Sequence, residues 1–225
     1  MLIQSGANIR NTTDGWSPLM IAAATHGAWS IGTQKYWGEN KSHQIEAVTL
    51  LLAAGADVNM PADNGQTPLM ESTADEAIDM VELLLRAGAN VYATDQWGRN
   101  VLHIYCGLKA EKIATWQKPD SFDRQKQKQA QLVSLLIEAG VDINATAHNG
   151  RTPLIEAAAC GNSLIVELLL QAGARVDAID RAGKNALNYA RDALRNVLIY
   201  GNLLEYIQTE QSEIIRLLQA CSPLA

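Results

Sequence analysis

Gly55-Ala56-Asp57-Val58-Asn59, followed by Asp63-Asn64-Gly65-Gln66-Thr67-Pro68-Leu69, is the stretch that decides the fold, because the chain repeats it. Degraded copies of its first half begin at Gly6-Ala7-Asn8, Gly88-Ala89-Asn90, Gly140-Val141-Asp142 and Gly173-Ala174-Arg175. Copies of its second half stand at Ser17-Pro18-Leu19, Asn100-Val101-Leu102, Thr152-Pro153-Leu154 and Asn185-Ala186-Leu187. Pro68 to Val101 and Pro153 to Ala186 are each separated by 33 residues. A period of that size announces stacked units, each burying its apolar face against its neighbours.

Each repeated residue has a mechanical role. Thr67 and Thr152 predict helix N-caps, and the prolines after them fall where a missing N–H is harmless. Leu83-Leu84-Leu85 and Leu168-Leu169-Leu170 are too apolar to face water all round and predict a layer between repeats. Gly88 and Gly173 stand where a helix should end in the left-handed conformation that glycine accepts.

Period and residues together resemble the ankyrin repeat, over nearly all of residues 1–225. That family's pattern runs from a hairpin finger through Thr-Pro-Leu-His-x-Ala to a helix, a tight turn and a second helix. Thr152-Pro153-Leu154-Ile155-Glu156-Ala157-Ala158, Gly161 and Ile165-Val166-Glu167-Leu168-Leu169-Leu170 fit it without insertion. The copy from Pro68 to Leu85 matches in length but has Glu76 where the turn glycine is usual. The resemblance implies an all-α solenoid with short β-hairpin fingers. It also implies one domain over 1–225, with repeats near 1–9 (partial), 10–58, 59–91, 92–143, 144–176 and 177–225. The headless first unit reads either as a fragment of a longer array or as an incomplete native repeat. At the other end Arg195, Asn196, Glu205, Gln208, Glu210, Gln211 and Glu213 are the candidates for a polar outer cap.

Composition narrows the function classes. The 225 residues are 48% hydrophobic, enough to bury a core without disulfides or metal. Three cysteines, Cys106, Cys160 and Cys221, are widely spaced without a CxxC pair, and read as reduced thiols in a cytoplasmic protein. No apolar run reaches the roughly 18 residues that span a membrane, and the first residues lack a signal-peptide pattern. A net charge of −6 argues against nucleic acid and favours a basic protein partner. His26, His43, His103 and His148 show no metal-ligand spacing, and no phosphate loop or GxSxG element is present. His103 stands where the family pattern has its histidine, which implies a structural hydrogen bond. Catalytic residues, metal and cofactor are therefore all assigned as none. Asn59 and Asn144 stand where some ankyrin repeats resemble substrates of asparaginyl hydroxylation.

Three repeats depart from the common length. Pro18 to Leu50 spans 32 residues, Val101 to Leu135 spans 34 and Ala186 to Leu217 spans 31, where Pro68 to Leu83 spans 15. Each insertion falls between the two helices of its repeat, and inserted repeats alternate with ordinary ones. The first contains Trp29, Tyr36 and Trp37 and reads as a loop; the second holds Trp116 and Phe122; the third looks helical. Two readings stand. In one, the insertions brace one another as packed loops and extended helix ends. In the other, Trp29, Tyr36, Trp37, Trp116 and Phe122 form a second recognition edge.

The family's usual binding surface is the finger tips and the exposed face of the first helices. By position it implies Trp16, Asp63, Gln66, Trp97, Arg99, His148, Arg151, Arg181 and Lys184 as protein-binding residues. Trp16 and Trp97 serve either as partner anchors or in finger-to-finger packing. Glu71 and Asp75 add an acidic cluster, which is either a solvated helix start or a patch for a basic partner. The resulting expectation is a monomer when unbound that binds another protein, as scaffold or adaptor, with no nucleic acid and no membrane. The alternative is an immunity protein that neutralises a toxin enzyme; an enzyme built on the solenoid is a third class without residues to support it.

Overall fold

The computed structural model describes residues 15–24, 41–107, 119–200 and 204–221. Helix formation starts where the repeated Ser/Thr-Pro stands. Ser17, Thr67 and Thr152 each take extended backbone, and each side-chain oxygen accepts the N–H three residues on, from Met20, Met70 and Ile155. They open α1 (Pro18–Ala23), α3 (Pro68–Ala74) and α7 (Pro153–Cys160). The equivalent helices without proline are α5 (Val101–Gly107) and α9 (Ala186–Tyr200). Second helices are α2 (Lys41–Ala53), α4 (Ile78–Arg86), α6 (Pro119–Glu138), α8 (Ser163–Gln171) and α10 (Leu204–Cys221).

These helices fall into two compact units, Met1–Gln96 and Trp97–Ala225. In the first unit α1 packs beside α3 and α2 beside α4, so first and second helices form separate rows. In the second, α5, α7 and α9 make one row and α6, α8 and α10 the other. The core is the layer between rows. Leu69, Met70, Val81 and Leu84 fill it in the first unit, and Leu102, Leu132, Leu154, Ile165 and Leu169 in the second. Of each leucine triplet only the middle residue is wholly enclosed: Leu84 and Leu169 are 0% exposed, whereas their neighbours are half-buried. A nine-residue helix turns one stripe inward, and the flanking leucines cover its shoulders.

The tight turn between the two helices of a repeat shows what Glu76 replaces. Gly161 ends α7 at φ +73° and a Cβ there would lie 2.7 Å from Gln211 Nε2. Glu76 adopts the same left-handed region with φ +56°, the one non-glycine residue to do so among the described residues. The repeat therefore keeps its backbone path at the expense of local strain.

Insertion falls between first and second helices in all three long repeats, and much of what is described of it is helix. Residues 119–127 extend α6 at its start, while the third insertion lengthens both α9 and α10. The first insertion, with its loop reading, lies outside the described residues. In the second unit the lengthened helices meet over the ordinary repeat between them. Asn162 Oδ1 caps α8 by accepting Ile165 N–H at 3.1 Å, while its Nδ2 donates to Gln129 Oε1 of α6 at 3.1 Å. Glu210 Oε2 of α10 accepts from Ser163 N–H at 3.2 Å and from the Ser163 hydroxyl, and its Oε1 lies 3.5 Å from Lys126 Nζ. Glu210 and Gln211 are thus corrected from outer-cap residues to inner ones: they are 8% and 2% exposed, turned onto the α7–α8 turn. Arg216 and Glu213, paired at 2.6 Å, stay at the surface of α10.

Candidate protein-binding groove

Between one repeat and the next the chain makes a finger, and asparagine holds its base. Asn59 Oδ1 accepts Asn90 N–H at 2.7 Å and its Nδ2 donates to Gly88 O at 3.3 Å. Asn144 repeats both bonds one unit later, with Arg175 N–H at 2.8 Å and Gly173 O at 3.3 Å. Those two asparagines, candidates for modification by resemblance, are here structural staples. Among the described residues the fingers are turns rather than regular strands. Ala62, Ala147 and Asp180 each donate N–H to the carbonyl four residues on, and Gly65, Gly150 and Gly183 close the turn at positive φ.

Adjacent tips hydrogen-bond directly. Within the second unit His148 N–H donates to Trp97 O at 2.8 Å, and Arg181 N–H to Asn149 O at 2.9 Å. Gly150 permits the second contact, since a Cβ there would stand 2.8 Å from Arg181 N. His103 fixes the same row from beneath. Its Nε2 lies 3.0 Å from the Arg151 carbonyl, and its Nδ1 lies 2.7 Å from Asn100 Oδ1 and 3.3 Å from the Asn100 backbone nitrogen. This is the structural hydrogen bond that its place in the pattern implies.

Tips, first helices and side chains enclose a groove of about 720 Å³ in the second unit. Trp97, Arg99, His148, Arg151 and Arg181, all singled out from sequence, line it together with Glu156, Asp180 and Tyr189. Arg99 lies over the Trp97 ring at 4.6 Å and Arg151 over the Tyr189 ring at 4.3 Å. Arg151 is held on two further sides, by Glu156 at 3.1 Å and Asp180 at 3.7 Å. Lys184 adjoins the groove, 5.5 Å from the Tyr189 ring and paired with Asp192 at 2.7 Å.

Asp180 is the buried hub. Burial opposes its ionisation, but hydrogen bonds from the Tyr189 hydroxyl at 2.6 Å and from the N–H groups of Lys184 and Ala182, with the Arg151 charge, outweigh it. They hold its carboxyl below the ordinary aspartate value. The acids thus sit under the groove floor, Asp180 at 8% residue exposure, while the Arg99 and Arg151 cations lie against aromatic rings and Arg181 is exposed. Trp97 is 47% exposed, a large aromatic surface left to water.

Tyr189 and Asp180 were not singled out from sequence. The signal for Tyr189 was its register: it stands three residues after Ala186, as Glu71 follows Pro68 and Glu156 follows Pro153. That is a half-buried first-helix position, and an aromatic there is what turns a polar face into a groove wall.

The remaining sequence candidates lie elsewhere. Within the first unit Trp16 is half-buried beside Gly15, where a Cβ would stand 2.5 Å from Asp63 Cγ, so this finger rests on the next one. Asp63 is exposed; Gln66 N–H donates to Asn64 Oδ1 at 3.0 Å, and its side chain pairs with the Asn64 amide. Glu71 is half-buried on α3, and burial, then the nearby Asp75 carboxylate, push its carboxyl up to about 7. Trp29, Tyr36, Trp37 and Trp116 lie outside the described residues. Phe122 falls on α6, but its side chain is also outside them.

No described helix is long and apolar enough to cross a membrane. Ankyrin-repeat models match residues 14–63, 39–116 and 125–218. The chain is likewise similar to parts of longer proteins. Neurogenic locus notch homolog protein 1 of Xenopus tropicalis is 29% identical over 191 residues, covering 84% of this chain and 7% of that protein. Human ankyrin repeat and SOCS box protein 16 is 29% identical over 192 residues, 72% of this chain and 42% of its own length. Phosphocholine transferase AnkX of Legionella pneumophila is 32% identical over 148 residues, 65% of this chain and 14% of its own length. The chain spans less than half of each of these relatives. Such repeats generally mediate protein–protein interaction, and with stacked helix pairs, capped Thr-Pro starts and stapled fingers this chain belongs to the ankyrin-repeat family.

Proposed function

We propose that the chain is a non-catalytic scaffold or adaptor module, and that a partner protein docks across its fingers and first-helix faces. The observation that carries this reading is Trp97, 47% exposed at the mouth of a groove whose other walls are Arg99, Arg151 and Tyr189. Tryptophan, tyrosine and arginine are the residue types that dominate binding energy in interfaces, and here rigid finger turns present them ready-placed. Trp16, Asp63, Gln66, Glu71 and Asp75 offer the corresponding surface of the first unit. Bracing of α6 and α10 through Glu210 supports a packing role for the described part of the insertions. A cytoplasmic setting agrees with Cys106, Cys160 and Cys221, all three of which are free thiols.

The test is affinity capture with the whole chain beside its Trp97→Ala/Arg99→Ala variant, read by quantitative mass spectrometry. A partner retained by the chain should fall by more than about tenfold on the variant while the melting temperature is preserved. Equal retention on both, with loss only when residues 108–118 are cut to a short linker, would move recognition to the inserted edge.

A further inference from the structure

The geometry points to an acidic segment of a partner protein as the occupant of the second-unit groove, with aspartate or glutamate flanking an apolar side chain. This rests on the groove being the protein-binding site. Sequence-wide charge suggests the opposite partner, because the chain carries −6 overall. The groove inverts that sign locally. Its two acids are committed inward: Asp180 accepts from Tyr189 Oη at 2.6 Å and from two backbone N–H groups, and Glu156 accepts from Arg151 at 3.1 Å. Their side chains are 4% and 14% exposed.

Arg181 is exposed at a finger tip, and the half-buried Arg99 guanidinium lies 4.6 Å from the Trp97 ring centre, while Arg151, 4.3 Å from the Tyr189 ring, is already engaged by Glu156 and Asp180. A guanidinium against a ring keeps its N–H fork in the plane, the geometry that meets a carboxylate with two parallel bonds. Trp97 then supplies the apolar surface that a purely electrostatic site would lack. A lysine-rich segment would instead place its ammonium groups against Arg99 and Arg181, with both acids of the groove lining already engaged by Arg151.

Phage-displayed dodecapeptides panned on the immobilised whole chain give the test. Each enriched peptide is then labelled with fluorescein and titrated by anisotropy against the chain and against Arg99→Glu/Arg181→Glu. The expected peptides are net negative with an apolar residue between acids, and bind the double variant at least about tenfold more weakly. Their affinity for the chain should fall as salt rises. Arg99→Gln/Arg181→Gln, which adds no like charge to the tips, should show the same loss in smaller degree, and melting curves confirm that both variants fold. Enriched basic peptides that lose affinity for the groove variants would overturn the acidic occupant and leave the groove standing. Peptides bound equally by chain and variants would overturn the groove itself. The proposal is also overturned if panning enriches nothing, or if a polythymidine oligonucleotide binds more tightly than the peptides and displaces them.

Discussion

Glu210 of α10 accepts a hydrogen bond from the backbone N–H of Ser163, 3.2 Å away across the α7–α8 turn, and so closes the N-terminus of α8 from outside its own repeat. A carboxylate at that end meets unsatisfied N–H groups and the positive end of the helix dipole. Lys126 stands 3.5 Å from the other carboxylate oxygen but is 40% exposed, against 10% for Glu210. The two partners therefore contribute unequally. Glu210→Ala is expected to destabilise the chain by about 2–4 kcal/mol, since Ser163 loses both bonds inside a closed contact. Lys126→Ala should be worth under about 1 kcal/mol, as for exposed pairs generally. Urea denaturation of the two variants checks this, and equal losses would show that the insertions do not brace the repeat through this carboxylate.

Left-handed backbone at Glu76 gives a second prediction. A side chain at φ +56° is disfavoured by about 1–2 kcal/mol relative to glycine, and the freer unfolded chain of glycine offsets about half of that. Glu76→Gly should then stabilise the chain by about 0.5–1 kcal/mol in urea titrations. The reverse change, Gly161→Ala, must both strain φ +73° and push against Gln211, and should destabilise by more than about 1 kcal/mol. Loss of stability in Glu76→Gly would mean that the glutamate's side-chain interaction outweighs its backbone strain.

Leucines of equal size should differ by place. Leu84 and Leu169 are 0% exposed between rows, whereas Leu50 on α2 is 55% exposed. Leu84→Ala and Leu169→Ala are expected to cost about 2–5 kcal/mol each. Leu50→Ala should stay within about 0.5 kcal/mol. Denaturation midpoints that fail to separate the two classes would contradict the inter-row layer as the seat of stability.

How far the sequence could be read follows from how local each signal is. Thr67-Pro68 and Thr152-Pro153 announced their helices because a cap and its first turn lie within four residues. The same register placed Trp97, Arg99, His148, Arg151 and Arg181 on one edge, and they do share a groove. What escaped was contact across repeats. Glu210 and Gln211 looked like a solvated cap because nothing within their own helix says that Ser163 and Gly161 will face them. Tyr189 went unweighed because its neighbours Arg151 and Asp180 come from two different fingers. The chain's acidic balance likewise gave no hint that the groove would bind its own acids to Arg151 and leave Arg181 exposed.

Glu71 allows a prediction about pH. Its carboxyl titrates near 7 in the folded chain, raised first by burial and then by Asp75, against an ordinary value of 4.5. Between those limits the folded state holds a proton that the unfolded state has released, so stability falls as pH rises from about 4.5 to about 7 and levels off above. Below the lower limit both states are protonated and the penalty vanishes. The full shift would correspond to about 3 kcal/mol, which solvent screening of a half-buried group reduces to about 1–2 kcal/mol. Glu71→Gln removes the titration. The variant should match the wild type near about pH 4 and exceed it by about 1–2 kcal/mol at about pH 8. Asp75→Asn should recover a smaller part, because Asp75 is the second cause. Urea midpoints across the range check this by the difference between variant and wild type, in which titrations common to both cancel. A gap that stays constant with pH would show that Glu71 titrates alike in the folded and unfolded chains, and that α3 presents a solvated acid rather than a buried one.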